Sequence, residues 1–130
     1  MNVETLDYDN IPSCTYCSPE VASVGLTEHQ AIEQNYELKI GKFPFRNLGK
    51  SMAVGETEGF VKIIADKKSD KVLGAHMIGS HVGTIIAEVA IAMEFGGAAE
   101  DIARTIHAHP SHSEAVKEAA MAVDKRPIHY

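Results

Sequence analysis

An α+β fold, with a mostly antiparallel sheet of about four or five strands and helices packed on one face, follows from three observations in this 130-residue sequence. Two apolar runs, Phe60–Asp66 and Val72–Ile78, flank the polar loop Lys67-Lys68-Ser69-Asp70-Lys71, which is the pattern of a hairpin. Tyr36, Leu38 and Ile40 alternate with Glu37 and Lys39, the mark of a half-buried strand. Helical patterns over Thr84–Phe95, Ala99–Ile106 and Ser113 to about Val123 then fill the C-terminal part of the chain.

In order, residues 1–10 are polar and acidic without periodicity and read as a linker or N-terminal extension, leaving 11–130 as the domain. Ile11–Tyr16 and Val21–Val24 are short β-type stretches separated by a turn at Ser18-Pro19-Glu20, and Gly25 stops the second. Thr27 is placed to N-cap a helix over Glu28–Asn35, with Asn35 as its left-handed C-terminal residue. Phe43-Pro44-Phe45 breaks the alternation of the next strand and predicts a sheet edge or a bulge. Arg46–Glu58, with Gly49 and Gly55, reads as an ordered loop with some strand at Met52–Val54. His76, inside a clear strand, reads as a hydrogen-bonded sheet histidine.

Gly79–Gly83 forms the hinge into the longest helix, Thr84–Phe95, in which only Thr84, Glu88 and Glu94 are polar. A helix apolar on most sides must be covered on most sides, and one sheet covers a single face. Its other face therefore predicts a partner surface, most simply that of a two-fold homodimer. The helix over Ala99–Ile106 has Glu100 and Asp101 at its start and Arg104 near its end, which suits the dipole. Ile102 and Ile106 are expected on its inner face, and Asp101 with Arg104 as a surface pair. In the last helix Val116, Ala119, Ala120 and Val123 are expected inward.

A hydrophobic content of 45% and a charged content of 23% describe an ordinary globular domain large enough for a core. The net charge of −6 argues against nucleic acid as a partner. No apolar run approaches membrane-spanning length and no signal-peptide order opens the chain, so a cytoplasmic or organelle-matrix location is expected. Cys14 and Cys17 have CxxC spacing, but Pro12 and Pro19 make the segment extended, and positions three apart on a strand face opposite ways. They read as structural thiols. No GxGxxG unit, Walker loop or nucleophile elbow is present.

The stretch Thr105–Ala119 concentrates the chemistry, with His107, His109, Pro110, Ser111, His112, Ser113 and Glu114 close together. Pro110 ends any helix through Ile106, and Ser111 with Glu114 has capping-box spacing. His109 then lies in a kinked connection beside a helix start. In one reading Glu114 only reaches back to the backbone at Ser111. In the other Glu114 orients His109 as a general base, fixing its tautomer and raising its pKa toward neutrality. His107, His109 and His112 as a metal set, or Ser111 and Ser113 with His109 as a hydrolase, are weaker readings, since neighbouring histidines point apart and no oxyanion geometry can be read.

The run His107-Ala108-His109-Pro110-Ser111-His112-Ser113-Glu114 resembles the His-Ala-His-Pro-Thr-Leu-Ser-Glu signature of dihydrolipoamide dehydrogenases, flavin-dependent pyridine nucleotide-disulfide oxidoreductases. Ile11-Pro12-Ser13, Pro19-Glu20-Val21-Ala22, Gly41-Lys42-Phe43-Pro44-Phe45, Val72-Leu73-Gly74-Ala75-His76 and Glu100-Asp101-Ile102-Ala103-Arg104 extend the resemblance along nearly the whole chain, to the family's C-terminal dimerisation domain. Ser111 replaces the usual threonine and His112 the usual leucine.

The resemblance implies that the parent enzyme oxidises dihydrolipoamide through a cysteine pair and FAD to NAD⁺, in a homodimer where this domain completes the partner subunit's site. It implies His109 as the base, Glu114 as its charge-stabilising partner, Pro110 in the cis form, and the backbone of His109 and Pro110 near the partner's flavin. In the family the redox cysteines lie in a separate N-terminal domain, so Cys14 and Cys17 are not that pair. The chain is thus expected to be an inactive fragment that binds no FAD or NAD by itself. Its implied partners are the missing FAD and NAD domains and the lipoyl-bearing component of a 2-oxoacid dehydrogenase complex. A glutathione-reductase-like or mercuric-reductase-like parent, or a stand-alone dimerising or metal-binding module, is the alternative.

Overall fold

A computed structural model describes residues 5–130. The expected linker therefore lies partly outside the described residues. Five strands form one antiparallel sheet: β1 (Ser13–Thr15), β2 (Glu20–Gly25), β3 (Leu38–Pro44), β4 (Phe60–Asp66) and β5 (Val72–Gly79). Their spatial order is β1-β2-β5-β4-β3, so the hairpin β4–β5 sits at the centre and the Pro44-bearing strand lies at an edge. An edge leaves one side of the strand without a ladder partner, which is where a proline without an N–H is tolerated.

The helices are α1 (Glu28–Glu33), α2 (Gly49–Val54), α3 (Val82–Glu94), α4 (Ala99–Arg104) and α5 (Glu114–Val123). On one sheet face, α3 packs over β2 and β5 while α5 packs over β3 and β4 and against α4. The main core lies between these layers: Val24, Phe43, Val61, Ile63, Ala75 and Met77 from the sheet meet Ile86, Val89, Ile102, Val116, Ala119 and Val123 from the helices. The opposite face carries a smaller cluster, where Ala31 of α1 covers Ile64 and Leu73. Leu38 and Ile40 point to this thinner side, so Ile40 remains 40% exposed.

Local signals set several boundaries. Thr27 caps α1 reciprocally with Gln30, and Asn35 takes φ 63° just beyond it. Asp66 accepts hydrogen bonds from the amide and hydroxyl of Ser69, which closes the β4–β5 turn. His76 Nε2–H donates to the Leu26 carbonyl at 3.0 Å. Glu118, buried on α5, accepts from His129 Nδ1–H and the Ile128 amide and so ties the C-terminal residues to the helix.

Three expectations are corrected. Met52–Val54 is helix rather than strand, because Gly49 and Gly55 punctuate a short helix, Gly55 ending it in the left-handed conformation at φ 77°. The helix over Ala99–Ile106 stops at Arg104, since Thr105 turns extended; Ile102 is buried as expected, but Ile106 is left 86% exposed. The longest helix begins at Val82, two residues early, with His81 in a left-handed conformation before it. No helix of the described residues is long and apolar enough to cross a membrane.

Candidate active site

Thr105 ends α4 by donating its hydroxyl proton to the Asp101 carbonyl at 2.6 Å, while Arg104 pairs with Asp101. Residues 105–113 then cross to α5 with a cis peptide bond between His109 and Pro110. Glu114 is the first residue of α5. Its Oε1 accepts a hydrogen bond from His109 Nδ1–H at 2.9 Å, and its Oε2 accepts one from the Ser111 amide at 2.9 Å. The two contacts left open by the sequence, to the Ser111 backbone and to His109, are therefore both made, one on each carboxylate oxygen. Burial pushes the Glu114 carboxyl up, but the Ser111 amide and then His109 outweigh it and hold the group below its ordinary value. The His109 side chain is 77% exposed and that of Glu114 only 21%. The arrangement is a ring at the surface on a carboxylate anchored below it.

The capping box is only half formed. Glu114 returns to the Ser111 amide, but α5 starts at Glu114 with Ser113 as N-cap, and the Ser111 hydroxyl is buried without a partner. That hydroxyl makes no bond to His109, so the Ser111–His109 pair is not formed among the described residues. The three loop histidines likewise diverge. His107 donates from Nδ1 to the Thr105 carbonyl and turns Nε2 to Glu88 of α3, while His112 stacks against His81. Cys14 lies on β1, whereas Cys17 lies in the turn beyond it with its thiol on the Pro19 carbonyl; both are free thiols.

Glu88, His81 and Glu20 are participants that the sequence reading missed. Glu20 of β2 accepts the Gly83 amide at 2.9 Å and so serves the first turn of α3. None of the three has a local signal, because each partner lies 19 or more residues away.

Chemically, a ring whose Nδ1–H is held by a carboxylate presents Nε2 as the atom able to accept a proton. The carbonyls of His109 and Pro110 accept no hydrogen bond among the described residues, and both residues are exposed. This turn therefore leaves two backbone acceptors open at the surface. Among the described residues every strand pairing is antiparallel, so no βαβ unit presents a phosphate-binding helix start.

The family model for the pyridine nucleotide-disulphide oxidoreductase dimerisation domain matches residues 11–120. The mitochondrial dihydrolipoyl dehydrogenase of Pisum sativum is 51% identical over 95% of this chain and 25% of its own length. The dihydrolipoyl dehydrogenase of Bacillus subtilis (strain 168) is 48% identical over 100% of this chain and 27% of its own. A leghemoglobin reductase of Glycine max is 51% identical over 94% of this chain and 23% of its own. The chain thus spans about a quarter of the length of the curated relatives it matches. Among solved structures, LpdA of Mycobacterium tuberculosis shares the fold, with TM-score 0.85 at 22% identity over 92% of this chain and 26% of that one. The HOCl-induced flavoprotein disulfide reductase RclA of Escherichia coli superposes with TM-score 0.82 at 27% identity, over 86% of this chain and 26% of that one. By its matched residues, its antiparallel sheet and the spacing of its histidine loop, the chain belongs to the dimerisation-domain family of the pyridine nucleotide-disulphide oxidoreductases.

Proposed function

We propose that this domain supplies a His109–Glu114 acid/base dyad to the partner subunit's site in a homodimeric dihydrolipoamide dehydrogenase. The observation that carries the reading is the 2.9 Å contact from His109 Nδ1–H to Glu114, on a ring otherwise open to solvent. Glu114 fixes the tautomer and stabilises the positive ring once it is protonated, without itself taking the proton. A substrate thiol at Nε2 gives its proton to His109, and the thiolate attacks one sulfur of an enzyme disulfide that lies outside this chain. That S–S bond breaks, a mixed disulfide forms, and the second enzyme sulfur leaves as thiolate. The second substrate thiol loses its proton to solvent, and its thiolate closes the lipoamide S–S bond and releases the first enzyme sulfur, so the enzyme pair gains two electrons. In the parent, bound FAD would supply the redox chemistry by which those two electrons pass from the reduced pair to NAD⁺. The backbone of His109 and Pro110 lies against that flavin in this reading, and residues 11–130 form the domain, entered through a linker at 1–10.

In this reading the parent's redox cysteines and nucleotide domains lie outside these 130 residues, which the chain's share of about a quarter of the relatives' length supports. A lipoyl-bearing component of a 2-oxoacid dehydrogenase complex is the expected donor of substrate. The test is kinetic. In the enzyme carrying this domain, His109→Gln is expected to lower kcat for dihydrolipoamide oxidation about 10²–10⁴-fold with flavin content and dimer unchanged. Undiminished turnover overturns the assignment. The 130-residue chain mixed with FAD, NAD⁺ and dihydrolipoamide is expected to show no turnover, and turnover above background overturns the fragment part of the reading.

A further inference from the structure

We propose that His81, His112 and Glu56 form a binding site for one divalent transition-metal ion, with zinc as the fitting metal. One ligand atom from each of the three lies within 4.8 Å of the other two. The three come from separate segments: Glu56 follows α2, His81 precedes α3, and His112 belongs to the loop that also holds His109. The imidazole centroids of His81 and His112 are 4.5 Å apart with planes inclined by 38°.

Two observations separate this cluster from an ordinary surface group of polar residues. His112 Nε2 is buried and has no hydrogen-bond partner. Buried ring nitrogens are normally paired, so an orphan one on a member of this cluster asks for an acceptor of its lone pair or a donor to it. His81 is one of the few non-glycine residues with positive φ, at 63°. Its carbonyl accepts the Thr84 and Ile85 amides, so the first turn of α3 holds this conformation and fixes its Cα beside the His112 loop.

The chemistry of the donors selects the ligand. Two imidazoles and one carboxylate with a fourth position left for water is a zinc set, and nitrogen donors of this kind favour zinc, cobalt, nickel or copper over magnesium and calcium. Ligand–metal bonds of about 2.0–2.2 Å in a tetrahedron place ligand atoms roughly 3.4 Å apart, so closure by at most about 1.4 Å is needed. The side chains of His81 and Glu56 are exposed and make no hydrogen bond or ion pair among the described residues, so rotation supplies that closure. A cleft of about 430 Å³ lined by Glu20, Glu56, Glu58 and Ser80 adjoins the cluster, giving a cation an acidic path in. A bound ion would tie the loop of His109 to the start of α3.

The experiment is a calorimetric titration of the metal-free 130-residue chain with Zn²⁺, paired with Co²⁺ absorption spectra. One equivalent is expected to bind. Affinity is expected to fall at least tenfold in His81→Asn and in His112→Leu, and several-fold in Glu56→Gln. Asparagine tolerates the left-handed backbone, so His81→Asn keeps the fold, which circular dichroism checks. Cys17→Ser and His109→Ala are expected to bind as the unsubstituted chain does, and the Co²⁺ spectrum to lack a thiolate charge-transfer band. No binding at millimolar Zn²⁺, unchanged affinity in the His81→Asn/His112→Leu double variant, or loss of binding in Cys17→Ser or His109→Ala overturns the site. The readout is binding alone, so its failure is distinct from failure of the dyad.

Discussion

Glu114 and Asp66 are carboxylates handled in the same way by the backbone for different ends. Each accepts an amide hydrogen bond across three residues, Glu114 from Ser111 and Asp66 from Ser69, and each is held below its ordinary value. For Asp66 the Ser69 hydroxyl is the largest cause, and it overcomes the opposing effect of burial. A carboxyl depressed in the folded state stabilises the protein above the unfolded value of about 4, and that contribution fades as pH falls toward the lower folded value. Asp66→Asn should therefore lower stability near neutral pH and flatten the stability curve below about pH 4, which equilibrium urea unfolding at several pH values measures. An unchanged acid limb would mean the turn does not use the charge. The spacing of Glu114 to Ser111 was legible in the sequence because it is local, and the resemblance pointed to His109. The contacts His107–Glu88 and His81–His112 were not legible, since the residues they join lie 19 and 31 positions apart and meet only through the packing of α3 against the loop.

Among the elements, the hairpin, the helix after Thr27 and the long apolar helix announced themselves through period and caps, whereas α2 did not. Its two glycines read as loop punctuation, and only the structure shows one opening and one closing a helix of six residues. Glycine carries opposite meanings in β3 and α2. At Gly41 a Cβ would stand 2.0 Å from the Ala119 carbonyl oxygen and 2.5 Å from the Val123 amide nitrogen, because the backbone of α5 lies directly on β3. Gly41→Ala is expected to cost about 1–3 kcal/mol, since neither backbone can yield without moving the layer. At Gly49 a Cβ meets nothing within 4 Å, and its φ is not in the left-handed region. Gly49→Ala is expected to be neutral or to stabilise by about 0.4–1 kcal/mol through the unfolded state. Chemical denaturation of the two variants decides it; equal effects would mean that the contact of α5 with β3 is looser than the structure shows. The alternation of Tyr36, Leu38 and Ile40 marked a strand correctly yet gave no face, and these side chains turn away from the main core. Which face a pattern serves depends on which helices arrive, and that is not local information.

For the whole molecule, the long apolar helix is the link between fold and assembly. Val82, Ile85, Ile86 and Val89 of α3 are buried on the sheet. Ala87, Ile91 and Phe95 stay exposed at helical spacing around the other side, Ile91 at 61% and Phe95 at 86%. Ile106 is just as open, and the His107–Glu88 contact ties its segment to α3. Large apolar side chains grouped this way mark an interaction surface, and a helix that meets its own copy across a two-fold axis covers the same patch on both subunits at once. The dimerisation-domain family supports that partner. The His109 loop continues from this segment, so closing the interface also fixes that loop relative to the second copy. The 130-residue chain is therefore expected to sediment as a dimer at micromolar concentration, with a melting temperature that rises with protein concentration. Ile91→Lys/Phe95→Glu is expected to sediment as a monomer whose circular dichroism is unchanged, because neither side chain enters the core. A monomeric unsubstituted chain, or a double variant that still sediments as a dimer, would move the subunit contact off α3.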